Sequence, residues 1–343
     1  MVSEVTFYEH STIDTLLRVL KPHLPQAAPL CHRLQSGLNT SDRHVLFAAS
    51  FPPSSPPSVA DPAKVFTVLF SDRSRKSEAQ VWIYNSLCQG VPFPLPEPFP
   101  PTTSSIQSAA EDGFAFQNPL STFERAVLKR HLTSLLQFLH THRIPSAPGW
   151  PFDSVVRLAC THHIISSALS EIVPFNRKTD WLKYIFSASP KLSPGTTKAS
   201  ESEINIPSNL TLHSDIKTED DIALILSTSL IPRQPSTLRA LPNRTLYLTS
   251  PDSPSQLVAW CFLGPDYSLM TLYVVEPYRG RSLAKYVAGQ LLREVGMSPV
   301  QYGHADVSRS NLASRRLCES LGGVVGWETS YIDIDLEKLS QHD

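Results

Sequence analysis

The stretch Leu272-Tyr-Val-Val-Glu-Pro-Tyr-Arg-Gly-Arg-Ser-Leu-Ala-Lys-Tyr-Val-Ala-Gly-Gln-Leu-Leu-Arg-Glu294 decides how the chain is read. Leu272, Tyr273, Val274 and Val275 form a β-type apolar run, Glu276 to Arg281 a tight basic turn, and Leu283, Val287, Leu291 and Leu292 then recur at helical spacing. The order is strand, turn, helix. Arg279 and Arg281 flank Gly280, and Ser282 stands at the helix start with an oxygen able to accept a first-turn N–H. Free N–H groups at a helix start, a small-residue turn and two fixed positive charges make a seat for phosphate.

Working outward, the 343 residues suggest about two domains of roughly 150 residues each. With 41% hydrophobic residues there is enough apolar side chain to fill a core. A net charge of −1 argues against general nucleic-acid or membrane-surface binding, where a basic excess is expected. The 30 prolines and the low share of charged residues, 18%, fit a folded body with stiff excursions. Cys31, Cys88, Cys160, Cys261 and Cys318 lie far apart with no Cys-x-x-Cys, so reduced thiols and a cytoplasmic location are expected, with no structural zinc site. No basic-then-apolar leader opens the chain, and no apolar run reaches about 18 residues.

In chain order, residues 10 to 20 place Ile13, Leu16, Leu17 and Leu20 on one face behind Ser11 or Thr12 as a cap. Three β-type runs follow, 44–50, 64–70 and 80–84, spaced as antiparallel neighbours. Residues 91 to 101 are too proline-rich to supply a sheet with donors and read as a surface excursion. From Pro119 to Arg143 a helix is expected, with Phe123, Val127, Leu128, Leu132, Leu135, Leu136 and Leu139 on its apolar face. A strand at 154–160 and a helix at 162–172 complete this half, and residues 187 to 207 read as an interdomain linker. Beyond it come a strand at 209–213, a capped helix at 218–227, a short helix at 236–241, three β runs (244–249, 256–263, 268–275) and the opening helix. A strand at 302–307, a helix at 311–321 and a last strand region at 324–336 follow. Both halves read as helix, three-strand meander, long helix, strand, helix, which suggests duplication at the level of pattern. After its third strand the first half has no Arg/Gly turn.

The run Val275 to Ala284 and the block Asn311-Leu-Ala-Ser-Arg-Arg-Leu-Cys-Glu-Ser-Leu-Gly-Gly323 resemble the two signature blocks of the GNAT superfamily of acyl-CoA-dependent N-acyltransferases. The branch similar to glycine N-acyltransferase is nearest in flavour, and the resemblance covers about residues 205 to 340. It implies a mixed, mostly antiparallel α/β sheet flanked by helices in a domain spanning 205–343, with residues 1–190 a degenerate relative of the same fold.

The resemblance further implies that the first block, Arg279-Gly-Arg-Ser-Leu-Ala284, grips the pyrophosphate of CoA through backbone N–H groups. Leu272, Tyr273, Val274 and Val275 would pair with its pantetheine arm, and Asn311 with Ser314 would hold or order that end of the site. The block departs from the family pattern at Ser282, where a glycine is usual and where a positive φ is resisted, and at Pro277, which usually stands one residue earlier. Cys318 occupies the place of a tyrosine that protonates the departing thiolate, and Tyr302 and Tyr331 are substitutes for that acid. Alternation puts Tyr302, His304 and Asp306 on one strand face, making His304, oriented by Asp306, the candidate base. The same residues admit structural roles: a satisfied histidine, a packing thiol, a helix cap, and for Arg315 and Arg316 a solvated helix face.

The implied reaction is direct attack of an amine, from a small molecule or an amino acid, on an acyl-CoA thioester, acetyl-CoA first among donors. A CoA- or partner-binding module that does not turn over, and an O-acyltransferase, stand as alternatives. Cys160, His162 and His163 do not complete a metal site, because adjacent histidines on a helix point to different faces. No G-x-x-x-x-G-K-[ST], G-x-G-x-x-G or G-x-S-x-G string occurs.

Overall fold

The computed structural model describes residues 4–40, 43–58, 64–73, 78–89, 119–142, 154–187, 206–229, 231–251, 253–296 and 300–341. The proline-rich run at 91–101 and nearly all of the expected linker at 187–207 lie outside them.

The described elements are β1 (Tyr8–Glu9), α1 (Asp14–Leu20), α2 (Ala28–Leu34), β2 (Leu46–Ala49), β3 (Thr67–Ser71), β4 (Val81–Asn85), α3 (Thr122–Thr141), β5 (Val155–His162), α4 (His163–Leu169) and β6 (Phe175–Ser187). Then come β7 (Leu210–His213), α5 (Glu219–Thr228), α6 (Pro235–Ala240), β8 (Asn243–Ser250), β9 (Ser253–Leu263), β10 (Leu269–Val274), α7 (Leu283–Gly296), β11 (Tyr302–Val307), α8 (Leu312–Ser320) and β12 (Val324–Asp335). The two sets repeat one order of strand, two helices, three strands, helix, strand, helix, strand. Contacts divide the chain into two units: Met1–Lys183 with Ser308–Ser310 and Val325–Asp343, and Tyr184–Val307 with Asn311–Val324.

In the first unit the strands run in the order β1-β2-β3-β4-β5-β12-β6. β1 to β4 pair antiparallel, β5 joins β4 in parallel at Val81↔Leu158 and Trp82↔Ala159, and β12 returns antiparallel to β5. Every residue of β3 and β4 is buried, including Thr67 and Asn85. Those polar groups are matched: Asn85 Nδ2 donates to Thr67 Oγ1 at 2.8 Å, and Thr67 Oγ1 meets His131 Nδ1 of α3 at 3.0 Å. Ser121 and Glu124 close a capping box at the start of α3. The α3 core stripe begins at Leu128, so Phe123, assigned to the apolar face from its spacing, is 74% exposed. At α1 neither Ser11 nor Thr12 caps; Ile13 holds the N-cap position without a side-chain bond.

Three elements went unread: β1, only two residues long, α2 and β6. α2, with Pro29 in its first turn, is buried along its whole length, His32 and Arg33 included, so its polar residues do not mark a solvent face. β6 carries Arg177, Lys178 and Asp180 in an exposed first half, which masks the buried run from Leu182 to Phe186.

In the second unit β7, β8, β9 and β10 form an antiparallel sheet in the order β10-β9-β8-β7. α7 lies against it through Leu283, Val287, Ala288, Leu291 and Val295, which meet Leu246, Val258, Ala259, Cys261 and Leu263 in one core. The end of β6 lies beside β11, with Phe186 against Gly303. α5 opens on a capping box of Thr218 and Asp221. Among the described residues no helix is long and apolar enough to cross a membrane.

Candidate functional site

β10 is an edge strand, and its backbone is irregular where the site begins. The register with β9 shifts between Met270 and Tyr273, and Thr271 takes a φ of 51°. Such a bulge re-aims backbone groups out of the ladder. Toward β11 the chain makes an isolated parallel bridge, Ser268 with His304, and no ladder joins β10 to β11 beyond it. The strands therefore part along Leu272 to Val275; Val275 N donates back to Val258 O of β9 and Val274 O accepts from Arg279, which leaves the outward groups around Leu272 toward the gap.

The basic turn closes one end of that gap. Tyr273 stacks on Trp260 with ring centroids 5.0 Å apart, and the Arg279 guanidinium lies 5.3 Å from the Tyr273 ring centre. Arg279 Nε donates to Val274 O at 3.0 Å, and an Arg281 nitrogen donates to Pro277 O at 3.3 Å. Each arginine is thus held by the backbone beside it. Neither meets a carboxylate among the described residues, and Arg279, Gly280, Arg281 and Ser282 are all exposed. Gly280 has a φ of 76° with open space where a Cβ would stand. Ser282 has a φ of 59°, the left-handed geometry that a glycine there would adopt freely, so the substitution preserves the turn at the cost of local strain. Leu283 is buried at the head of α7, and Ala284 packs against the same core. The helix start and both positive charges converge on one open, uncompensated surface.

His304 is wholly buried, and its Nε2 bonds Asp266 O at 2.8 Å with Asp266 Oδ2 3.5 Å away. Asp266, rather than the Asp306 expected as orienter, is what this nitrogen meets. Asp266 Oδ1 also accepts from Ser268 Oγ at 2.7 Å, and a Cβ at Gly264 would lie 2.6 Å from that same oxygen. Gly264, Asp266, Ser268 and His304 form a clamp where β10 and β11 begin to part. A buried imidazole tied in this way holds the two strands together where they begin to part.

Cys318 stands where a general acid was expected. It is 5% exposed, and burial, with Glu319 beside it, pushes its thiol up to about 12. A thiol raised in this way is a poorer proton donor to a leaving thiolate than an unperturbed one. It is a packed side chain of α8. Tyr331 lies in the first unit, its OH 3.6 Å from Cys160 Sγ. Tyr302 is half-buried at the first position of β11. Asn311 caps α8, its Oδ1 accepting from Ser314 N at 3.1 Å. Arg315, read as solvated, is buried beside Tyr184, whose OH donates to Glu319 at 2.9 Å; Arg316 is exposed. Asp266 and the Trp260–Tyr273–Arg279 stack escaped the sequence reading, because nothing local distinguishes an acid in a hairpin turn from a solvated one.

The model of the acyl-CoA N-acyltransferase verG N-terminal domain matches residues 3–194, more than half of the chain. The chain belongs to that acyl-CoA N-acyltransferase family. A second model, of FR47-like proteins, matches residues 248–332 of this family member, which include β10, the basic turn, α7 and α8. An X-ray structure of a Drosophila protein aligns over 97% of the chain and 99% of its own length at 14% identity with a TM-score of 0.60, a likeness of fold. A tandem GNAT protein from the clavulanic acid biosynthesis pathway aligns over 96% of the chain and 98% of its own, at 9% identity and a TM-score of 0.46. For a GCN5-related N-acetyltransferase from Sphaerobacter thermophilus the figures are 96%, 96%, 12% and 0.43. No curated protein matches the chain significantly.

Proposed function

We propose that the second unit transfers an acyl group, acetyl by preference, from acyl-CoA to the amine of a small molecule or an amino acid, in the manner of the glycine N-acyltransferase-like branch. The observation that carries this reading is the open basic turn, with Gly280 and Ser282 both at positive φ, set between a bulged edge strand and the start of a 14-residue helix. The pyrophosphate would rest on the N–H groups of residues 280 to 284, with Arg279 and Arg281 supplying charge. The pantetheine arm would run along the outer edge of β10 from Leu272 to Val275, with Asn311 and Ser314 bordering it.

In direct transfer the amine nitrogen attacks the thioester carbonyl, the C–S bond breaks, and the CoA thiolate leaves with a proton. Tyr302 is the proposed proton donor, since Cys318 is too weak an acid and His304 is buried. Burial of those two groups equally favours a second reading, a module that holds CoA without turnover.

Isothermal titration with acetyl-CoA and desulfo-CoA tests the seat, and thiol release in a panel of amines that includes glycine tests turnover. Micromolar binding with amine-dependent thiol release is the expected result. Binding without release across the panel would leave the module reading standing, and absence of binding would overturn the seat itself.

A further inference from the structure

The first unit holds a further set of reactive groups. Trp82, Tyr84, Cys88, Cys160, His162 and Trp327 line a cavity of about 20 Å3. Two polar atoms of these residues, Trp82 Nε1 and Tyr84 OH, are buried without a hydrogen-bond partner, in side chains each 3% exposed. Buried donors left unsatisfied are uncommon and mark a place for a small polar guest. The volume admits about one water-sized molecule.

Cys160 reaches the cavity through an irregular backbone. It takes a φ of 50°, and the register of β5 with β12 shifts at the same place. Lys183 on β6 is wholly buried, and its Nζ donates to Cys160 Sγ at 3.0 Å; Tyr331 OH lies 3.6 Å from the same sulfur. An ammonium at this distance stabilises the anionic form of the sulfur it touches, which is the nucleophilic form. Cys88, on the same wall, has no such neighbour, and burial pushes its thiol up to about 12. The cavity therefore holds one activated sulfur and one inert one.

We propose that Cys160 is an oxidation site for hydrogen peroxide and that Lys183 captures the oxidised sulfur as a reversible sulfur–nitrogen cross-link. The sulfur attacks one peroxide oxygen, the O–O bond breaks, and the departing hydroxide leaves as water with the thiol proton, giving a sulfenic acid. The Lys183 amine, having lost its extra proton, then attacks sulfur. The S–N bond forms, the S–O bond breaks, and a second water leaves with one amine proton. In sum, one thiol, one amine and one peroxide give one sulfenamide and two waters; sulfur is oxidised by two electrons and peroxide is reduced. A peroxide fits a cavity of this size, whereas glutathione does not. Because β12 lies between β5 and β6 in the strand order, the cross-link staples the C-terminal strand into the first unit.

The test is peroxide treatment of the full chain followed by intact mass and tryptic mapping. The expected product has lost about 2 Da, joins the peptides containing Cys160 and Lys183, resists trypsin after Lys183, and reverts with dithiothreitol. Its thermal midpoint rises by several degrees and falls back on reduction. Cys88→Ser retains the cross-link, Cys160→Ser abolishes it, and Lys183→Met instead accumulates the sulfinic and sulfonic acids of Cys160. A species lighter by about 2 Da that persists in Lys183→Met identifies a disulfide and overturns the proposal. Recovery of wild-type Cys160 unmodified, with Lys183 still cleaved by trypsin, overturns it as well.

Discussion

Ser282 carries a serine into backbone geometry that suits glycine, at a φ of 59°. The strain is of the order of 1 kcal/mol, small enough for a helix start to hold. Ser282→Gly should therefore leave acetyl-CoA affinity equal or tighter, with a stability change under about 1 kcal/mol, because relief of strain and loss of chain stiffness oppose each other. Ser282→Val should weaken both, since a branched Cβ resists positive φ; calorimetric titration and urea melts read the pair. Arg279→Glu places like charge against the diphosphate and removes a charged hydrogen-bond donor worth about 1.5–3 kcal/mol, so affinity should fall about tenfold to a hundredfold. Unchanged affinity would refute the assigned turn. His304→Gln separates clamp from base: loss of a buried bond to Asp266 should lower stability by about 1–3 kcal/mol. If His304 only holds strands, the midpoint of the pH–rate profile stays where it is in wild type, and a shifted midpoint would restore the histidine as a base.

At the scale of elements, α7 shows why the opening stretch could be read so directly. Its apolar residues recur on one stripe, and that stripe is the face packed on β8 and β9, so local period and tertiary burial agree. Leu291→Ala in that stripe should cost about 2–5 kcal/mol in a urea melt, a range set by how far the cavity relaxes. β11 was equally legible, at the bounds 302 to 307, because Gly and Ser punctuation encloses a short mixed run. β6 was not, since its charged first half is exposed and a partner of Asp180 comes from far along the chain. Ser330 Oγ donates to Asp180 Oδ1 at 2.6 Å. The site followed the same division. The turn residues 279 to 282 are contiguous and could be named from the sequence, whereas the clamp on His304 needs Asp266, 38 positions away.

For the whole molecule, the chain's last strand belongs to the first unit, so sequence neighbours and structural neighbours differ. Deletion of residues 325–343 should raise hydrogen exchange in β5 and β6 while β8 and β9 keep their protection; exchange mass spectrometry decides it. Acid stability should follow the first unit too. Burial lowers His131 from 6.5 to about 4 and His162 well below its ordinary value, with His10 and His23 lowered in the same sense. These rings stay neutral when folded, while the unfolded chain takes up protons near 6.5. Their stabilising effect is complete above that pH and is lost as pH falls toward 4. His131 alone should account for about 2 kcal/mol between pH 7 and 5, and His131→Gln should flatten that part of the urea-melt profile. By itself the sequence determined the strand, turn and helix of the basic seat and, without β1, α2 and β6, the shared order of the halves, because period and turn chemistry act over a few residues. Tertiary structure alone decided that His304 and Cys318 are buried, that Asp266 is the partner and that Lys183 meets Cys160. Burial and pairing are set by residues distant in the chain, which no local pattern encodes.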